Sequence, residues 1–261
     1  MNTKNDFPNV TTTSDEFSTG VRLNKALADA GICSRRKADA IISQGLVSVN
    51  GQTVTSLGMR VMPQDVVTVN GVPLPSKEAR TYLVMHKPIQ VLCTAKDPEG
   101  RPTVLDLLPA PWNALRLYPV GRLDYFSEGL IILTDDGELA HKLAHPRHHL
   151  PKVYQVLVRE DVSEEMLEAM RTGMLLAEGE QLASMEVEIL PPPASARGTL
   201  LQMTLHQGIN RQIRRMCRDV HLTILTLTRV AQGPLQLGEL PSGKVRVLSD
   251  IEVQSLRNAL E

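Results

Sequence analysis

The chain has 261 residues, 42% of them hydrophobic, and a formal net charge of −1. That length suits two domains, at roughly 100–200 residues each, with enough apolar material for a sizeable core. No apolar run approaches the roughly 20 residues of a membrane span, Met1 to Thr13 lacks an apolar signal region, and the three cysteines (Cys33, Cys93, Cys217) are scattered, so a cytoplasmic protein with reduced thiols and no membrane association is expected.

Residues 1–20 are polar, Thr- and Asn-rich and aperiodic, and read as a disordered tail. Residues 21–75 read as one compact module. Leu23, Ala26, Leu27 and Ala30 recur at helical spacing, with Gly31 as a stop. Ser34 is an N-cap for a second helix, Arg35 to Ser43, ended by Gly45. Leu46 to Val49 and Val66 to Val69 are short strands, followed by Asn50-Gly51 and Asn70-Gly71, the residue pair that a type I′ turn requires.

Ser76 to Arg80 is a charged connector and the predicted domain boundary, with residues 80–261 as the second domain. Strands are predicted at Tyr82–Met85, Gln90–Thr94, Leu117–Val120, Leu130–Leu133, Lys152–Val158 and Thr199–Leu205, with an apolar run at Leu222–Leu227. Short helices are predicted at Glu138–Ala144 (capped by Thr134 or Asp135), Glu164–Arg171 (capped by Ser163) and Asn210–Arg218, and after Ser249. Strands outnumber helices and the connections are irregular, which predicts an α+β domain with a largely antiparallel sheet.

The charge is unevenly spread. From Val21 to Arg60 six basic residues face two acids, and from Arg211 to Arg229 five arginines face one acid. Such segregation on a nearly neutral chain predicts an electropositive footprint for nucleic acid. Arg35, Arg36 and Lys37 occupy a helix's first turn, where the dipole disfavours cations but a phosphate would be held by dipole and side chains together. A solvated charged face is the plainer alternative for such a run. Arg211, Arg214, Arg215 and Arg218 are spaced to share one helix face.

Gly121-Arg122-Leu123-Asp124 sets a carboxylate in a turn between two apolar strands, beside a cation. Such an acid is ordinarily a turn cap, and burial or a cationic partner would be needed to make it reactive. His141, His145, His148 and His149 lack a ligand spacing for zinc. The Asp135-Asp136 pair suits helix capping better than two-carboxylate glycosidase chemistry. With no glycine-rich nucleotide loop either, no cofactor and no metal are expected. Cys33 and Cys217 adjoin basic residues, which can lower a thiol pKa, but both read more simply as packing residues.

The helix pair and the Val47-Ser48-Val49-Asn50-Gly51 hairpin resemble the α-L RNA-binding module. That resemblance implies that Lys25, Arg35, Arg36, Lys37 and the Asn50 turn face structured RNA. Gly121-Arg122-Leu123-Asp124, with Tyr118-Pro119 before it and Ser127-x-Gly129-Leu130 after it, resembles the central motif of the RsuA/RluB-type ribosomal RNA pseudouridine synthases. His86-Lys87-Pro88, the loop Asp97-Pro98-Glu99-Gly100-Arg101-Pro102-Thr103, Lys152-Val153-Tyr154 and Gly208-Ile209-Asn210-Arg211-Gln212-Ile213-Arg214-Arg215-Met216 resemble further motifs of that family in the same order. The resemblance implies that Asp124 is the catalytic carboxylate, that Tyr154 is the active-site tyrosine and that Arg214 pairs with the aspartate. Arg211, Arg215 and Arg218 are then expected at the RNA, and Arg122 would fill the gap left by a flipped base.

The chain departs from the family pattern at three places. Ser127 stands where Thr is frequent, His86 where Asn or Tyr is frequent, and the pair Tyr125-Phe126 is bulky. The expected partner is ribosomal RNA or an assembling subunit, with the chain a monomer. The Asp97–Thr103 loop resembles members acting on the large subunit and Pro146–His149 those acting on the small subunit; the large subunit is favoured. Two rivals share some of these features: a non-catalytic RNA-binding assembly factor, which would not need Asp124, Tyr154 and Arg214 together, and an RNA N-glycosidase, which would release free uracil.

Overall fold

The computed structural model describes residues 20–75, 80–145 and 150–260. Residues 1–19 of the expected 1–20 tail and most of the connector lie outside them, as do His148 and His149. The chain divides into two compact units, residues 1–77 and 78–261.

In the first unit, β1 (Val21–Arg22) leads into α1 (Leu23–Asp29) and α2 (Arg35–Ser43), followed by β2 (Val47–Val49), β3 (Gln52–Val54), β4 (Arg60–Val61), β5 (Val67–Val69) and β6 (Val72–Pro73). Ser34 caps α2, its hydroxyl accepting from the backbone N–H of Lys37 at 3.2 Å. Asn50 and Gly51 take φ of 51° and 80°, as a type I′ hairpin requires. Leu23, Leu27, Ala38 and Ile42 from the helices close over Val47, Val49, Val54 and Val67 from the strands in one small core.

The second unit is built on a nine-stranded sheet. Its strands are β7 (Tyr82–Lys87), β8 (Tyr118–Val120), β9 (Glu128–Thr134), β10 (Lys152–Val158), β11 (Glu186–Leu190), β12 (Thr199–Leu205), β13 (Ile224–Gln232), β14 (Leu235–Gln236) and β15 (Val245–Val247). The path runs β11-β12-β10-β13-β9-β7-β15, with β14 on β13 and β8 on β9. Every pairing is antiparallel except β13 with β9. Helices α3 (Gly137–Ala144), α4 (Glu164–Thr172), α5 (Gln212–Asp219) and α6 (Asp250–Asn258) complete the unit. The chain is thus α+β with a largely antiparallel sheet, as the pattern of elements predicts.

The β9–β13 seam joins two separately cored halves. One core packs Val156, Leu201 and Met203 against α4 and α5, through Leu167, Met170, Ile213 and Met216. The other side of the seam has cores around Leu130 and Ile132 and around Leu83, Met85 and Ile131. At the seam Gly129 lies opposite Arg229. A Cβ on Gly129 would fall 2.3 Å from the Arg229 carbonyl oxygen, and its φ is +111°, so only glycine lets the two backbones meet there.

Three local expectations change. Gln90–Thr94 forms no strand: Gln90 takes φ of 60°, and the segment makes one isolated bridge, Leu92 to Thr103. The α3 cap is Asp136, whose carboxylate accepts from the N–H groups of Glu138 and Leu139. The basic helix begins at Gln212, because Arg211 before it is left-handed, with φ of 51°.

Candidate active site

Asp124 is fixed by the loop between β8 and β9. Gly121 turns the chain with φ of +74°, and buried Leu123 anchors the loop, its N–H donating to Cys93 Sγ at 3.3 Å. Ser127 N–H closes the following turn onto the Asp124 carbonyl at 3.0 Å. Fully buried Lys87 braces the turn from beneath, donating from Nζ to the carbonyls of Ser127 at 2.7 Å and Pro88 at 2.8 Å. Burial pushes the Lys87 ammonium below its usual range, opposed by the charges of Cys93 and Asp124.

The carboxylate is 27% exposed and faces two arginines: its Oδ2 lies 3.8 Å from Arg211 Nη1 and 3.9 Å from Arg214 Nε. Arg214 is held on the Asp124 turn itself, with Nη2 donating to the Phe126 carbonyl at 2.7 Å and to Ser127 Oγ at 3.1 Å. Its Nε is buried and makes no hydrogen bond. Burial lowers the pKa of this guanidinium and the Asp124 charge raises it.

The acid opens into a cavity of about 590 Å³ lined by residues 120–232 of the second unit alone. Asp124, Arg122, Tyr154, Arg211 and Arg214 all line it. Tyr154 is half-buried on β10 and its ring packs on the core beneath. Arg122 is exposed. The structure therefore gathers the three residues the motifs single out for catalysis, and adds Arg211, which the sequence assigns to RNA, as a second cation on the acid.

Other expected RNA contacts are differently placed. Arg35, Arg36 and Lys37 are exposed on α2, with no ion pair among the described residues. Lys25 is paired with Asp29 at 2.9 Å. Asn50 uses its side chain inside the module, donating to Asp65 Oδ1 at 2.8 Å and accepting from Val66 N–H at 2.9 Å. Arg215 is bridged to Glu178 at 3.0 Å and to Glu180, and Arg218 to Glu178 and Asp219 at 2.6 Å each. These arginines are neutralised by the protein's own acids instead of forming an open cationic face. Arg218 holds the Glu178 carboxyl down at about 2. Cys217 is fully buried and its thiol is pushed up to about 12, which makes it a packing residue. Among the described residues no group of three His, Cys, Asp or Glu side chains could hold a metal.

Sequence reasoning gives no role to four polar side chains of the cavity, although Lys152 and Gln212 fall within the quoted motifs. Arg229 (2% exposed), Gln232 (3%) and Gln212 (4%) are buried in its wall. Arg229 donates from Nε to the Leu130 carbonyl at 2.7 Å, but its Nη2 has no partner, and neither does Oε1 of Gln232 or Gln212. Lys152 lines the same wall, donating to the Leu150 carbonyl at 3.1 Å. Burial, with the nearby Arg229 charge, lowers its pKa. The available signal was polarity inside otherwise apolar strands, at Lys152 and at Arg229.

Residues 81–219 match the family described as RNA pseudouridylate synthase, and residues 21–73 match the S4 domain. The ribosomal large subunit pseudouridine synthase B of Bacillus subtilis (strain 168) is 38% identical over 90% of this chain and 95% of its own length. The dual-specificity RNA pseudouridine synthase RluF of Escherichia coli (strain K12) is 36% identical over 92% of this chain and 80% of its own. A crystal structure of a pseudouridylate synthase superposes with a TM-score of 0.64 at 28% identity, covering 90% of this chain and 99% of that one.

Proposed function

Because the chain belongs to the RNA pseudouridylate synthase family and carries an S4 domain, we propose that it converts one uridine of large-subunit ribosomal RNA to pseudouridine, with Asp124 acting at the sugar. The observation that carries this reading is the Asp124 carboxylate at the wall of a 590 Å³ cavity, with Arg211 and Arg214 on one of its oxygens. The large-subunit assignment rests on the relatives named for that subunit.

The reaction breaks the C1′–N1 bond, turns the uracil and bonds C1′ to C5; N1 gains a proton and C5 loses one. A paired base is out of reach, so the nucleotide must leave the stack at a cost of a few kcal/mol. Arg122, exposed and lining the cavity, fills the gap the nucleotide leaves on this reading. The carboxylate acts either as a nucleophile at C1′ or as a base at C2′. Deuterium at C2′ separates the routes, since only proton removal there gives a primary isotope effect. Tyr154 offers a ring for stacking and a phenol for handling the C5 proton. The cations of α2 and Arg211 contact RNA. On this reading the enzyme acts as a monomer in the cytoplasm, on free ribosomal RNA or an assembling subunit.

The test maps pseudouridines in the ribosomal RNA of cells with and without the gene, and in cells carrying Asp124→Asn. One large-subunit position is expected to revert to uridine in both altered strains. A lost position in the small subunit would refute the target, and full modification with Asp124→Asn would refute the role of the acid.

A further inference from the structure

The β10–β13 pairing carries a bulge. Tyr154 pairs with Arg229 and Val153 with Ala231, so Val230 is an extra residue on β13, and Lys152 pairs with Gln232. Cross-strand partners share a face. Lys152 and Tyr154, two residues apart on β10, both line the cavity. Their partners Gln232 and Arg229 therefore share that face, although they are three apart on their own strand. Without the bulge the alternation of β13 would turn Gln232 to the opposite side. Bulges beside active sites re-aim side chains in this way.

The re-aimed amide is held ready and left unpaired. Gly233 N–H donates to the Pro151 carbonyl at 2.8 Å, tying the residue after Gln232 to the residue before Lys152. Gln232 is 3% exposed and lines the cavity, and its buried Oε1 has no hydrogen-bond partner. Burying an amide oxygen without a partner is unfavourable, and a ligand offering the missing donor removes that cost.

We propose that Gln232 is a specificity-determining residue that reads the edge of the flipped uracil, its Oε1 accepting from the imide N3–H while the Lys152 ammonium donates to the 4-carbonyl oxygen of the base. The proposal rests on the synthase reading above and goes beyond it by assigning base recognition to this pair. Uracil presents that combination of donor and acceptor. Cytosine does not, because its N3 carries no hydrogen and its 4-amino group is a donor. Gln232 can rotate its amide to suit cytosine, but an ammonium has only donors, so the pair together rejects it.

The test uses the full chain, Gln232→Met and Gln232→Asn with unmodified transcripts of large- and small-subunit ribosomal RNA, each made also with cytidine at the modified position. For Gln232→Met we expect a Tm equal to or above the wild type, a 10- to 100-fold loss of kcat/KM, and loss of the wild type's tighter binding to the uridine transcript over the cytidine one. Gln232→Asn, which shortens the reach by one methylene, is expected to fall between and serves if the methionine variant does not fold. Wild-type kcat/KM and unchanged uridine preference in a folded variant would overturn the proposal. Modification confined to the small-subunit transcript refutes only the target, and the comparison is then made on that RNA. If the wild type modifies neither, the binding preference alone decides, and a wild type without one overturns the proposal.

Discussion

Three residues around Asp124 can be separated by what their replacement does. Arg214 joins the acid to its own turn through two hydrogen bonds from one nitrogen, one to the Phe126 carbonyl and one to the Ser127 hydroxyl. Lysine keeps the charge but lacks the planar fork, so Arg214→Lys should lower kcat by about 10- to 100-fold, the worth of one or two charge-assisted hydrogen bonds, with RNA affinity little changed. Single-turnover kinetics with a separate binding curve would show it, and a loss confined to affinity would place Arg214 at the RNA. Gly129→Ala puts a methyl onto the Arg229 backbone and should destabilise the fold by several kcal/mol, read by denaturant unfolding. Lys152 gives a pH signature. Burial lowers its pKa from the ordinary 10.5, so the unfolded chain binds its proton more tightly. Stability contributed by this group therefore rises as pH climbs from the depressed value toward 10.5. Lys152→Met should abolish that rise and be more stable than wild type at pH 7, yet less active; a stability profile unchanged between pH 7 and 10.5 would contradict this account.

At the scale of elements, the acidic segment after α4 covers part of the basic helix. Glu178 bridges Arg215 and Arg218 from the loop. Exposed ion pairs of this kind contribute little to stability, so Glu178→Ala should shift unfolding by less than about 1 kcal/mol. Without it Arg215 keeps Glu180 and Arg218 keeps Asp219, but each arginine loses one of its two acidic partners and becomes more available to phosphate. RNA affinity should rise at low salt, and the slope of log K against log salt should steepen by about one or two; an unchanged slope would mean that α5 does not meet the backbone. The sequence makes some of these elements legible and not others, for physical reasons. The span of α2 and its Ser34 cap follow from side-chain chemistry local to the turn, as do the Asn-Gly hairpins and the strands Lys152–Val158 and Thr199–Leu205. Asp124 becomes legible only in the company of ordered motifs, because an aspartate in a turn is by itself a cap. The Glu178 bridges form across 37 and 40 residues of chain, and no window of sequence holds both ends. Gln232 is hidden more deeply. Its face is decided by one extra residue in the register with β10, and a regular alternation drawn along β13 would send it to the wrong side.

For the whole molecule, the net charge of −1 conceals a division of labour. Residues 21–75 carry six cations against three acids, and the three on α2 have no ion pair among the described residues, whereas the catalytic unit neutralises Arg215 and Arg218 internally. The electrostatic part of RNA binding should then fall mainly to the first unit, and base selection to the cavity of the second. Each unit has its own core, and we place the boundary between them at residues 76–80. A chain of residues 80–261 alone should therefore fold, keep a cooperative unfolding transition, and bind RNA with a shallower salt dependence. Its KM should rise far more than its kcat falls, because the groups around Asp124 remain while the anchoring charge is gone. Arg35→Ala with Arg36→Ala in the full chain should reproduce part of that effect without removing any core residue. If the truncated chain fails to fold, the boundary is misplaced. If it folds and its kcat collapses at unchanged KM, the first unit does more than anchor the RNA and must help to set the target uridine against Asp124.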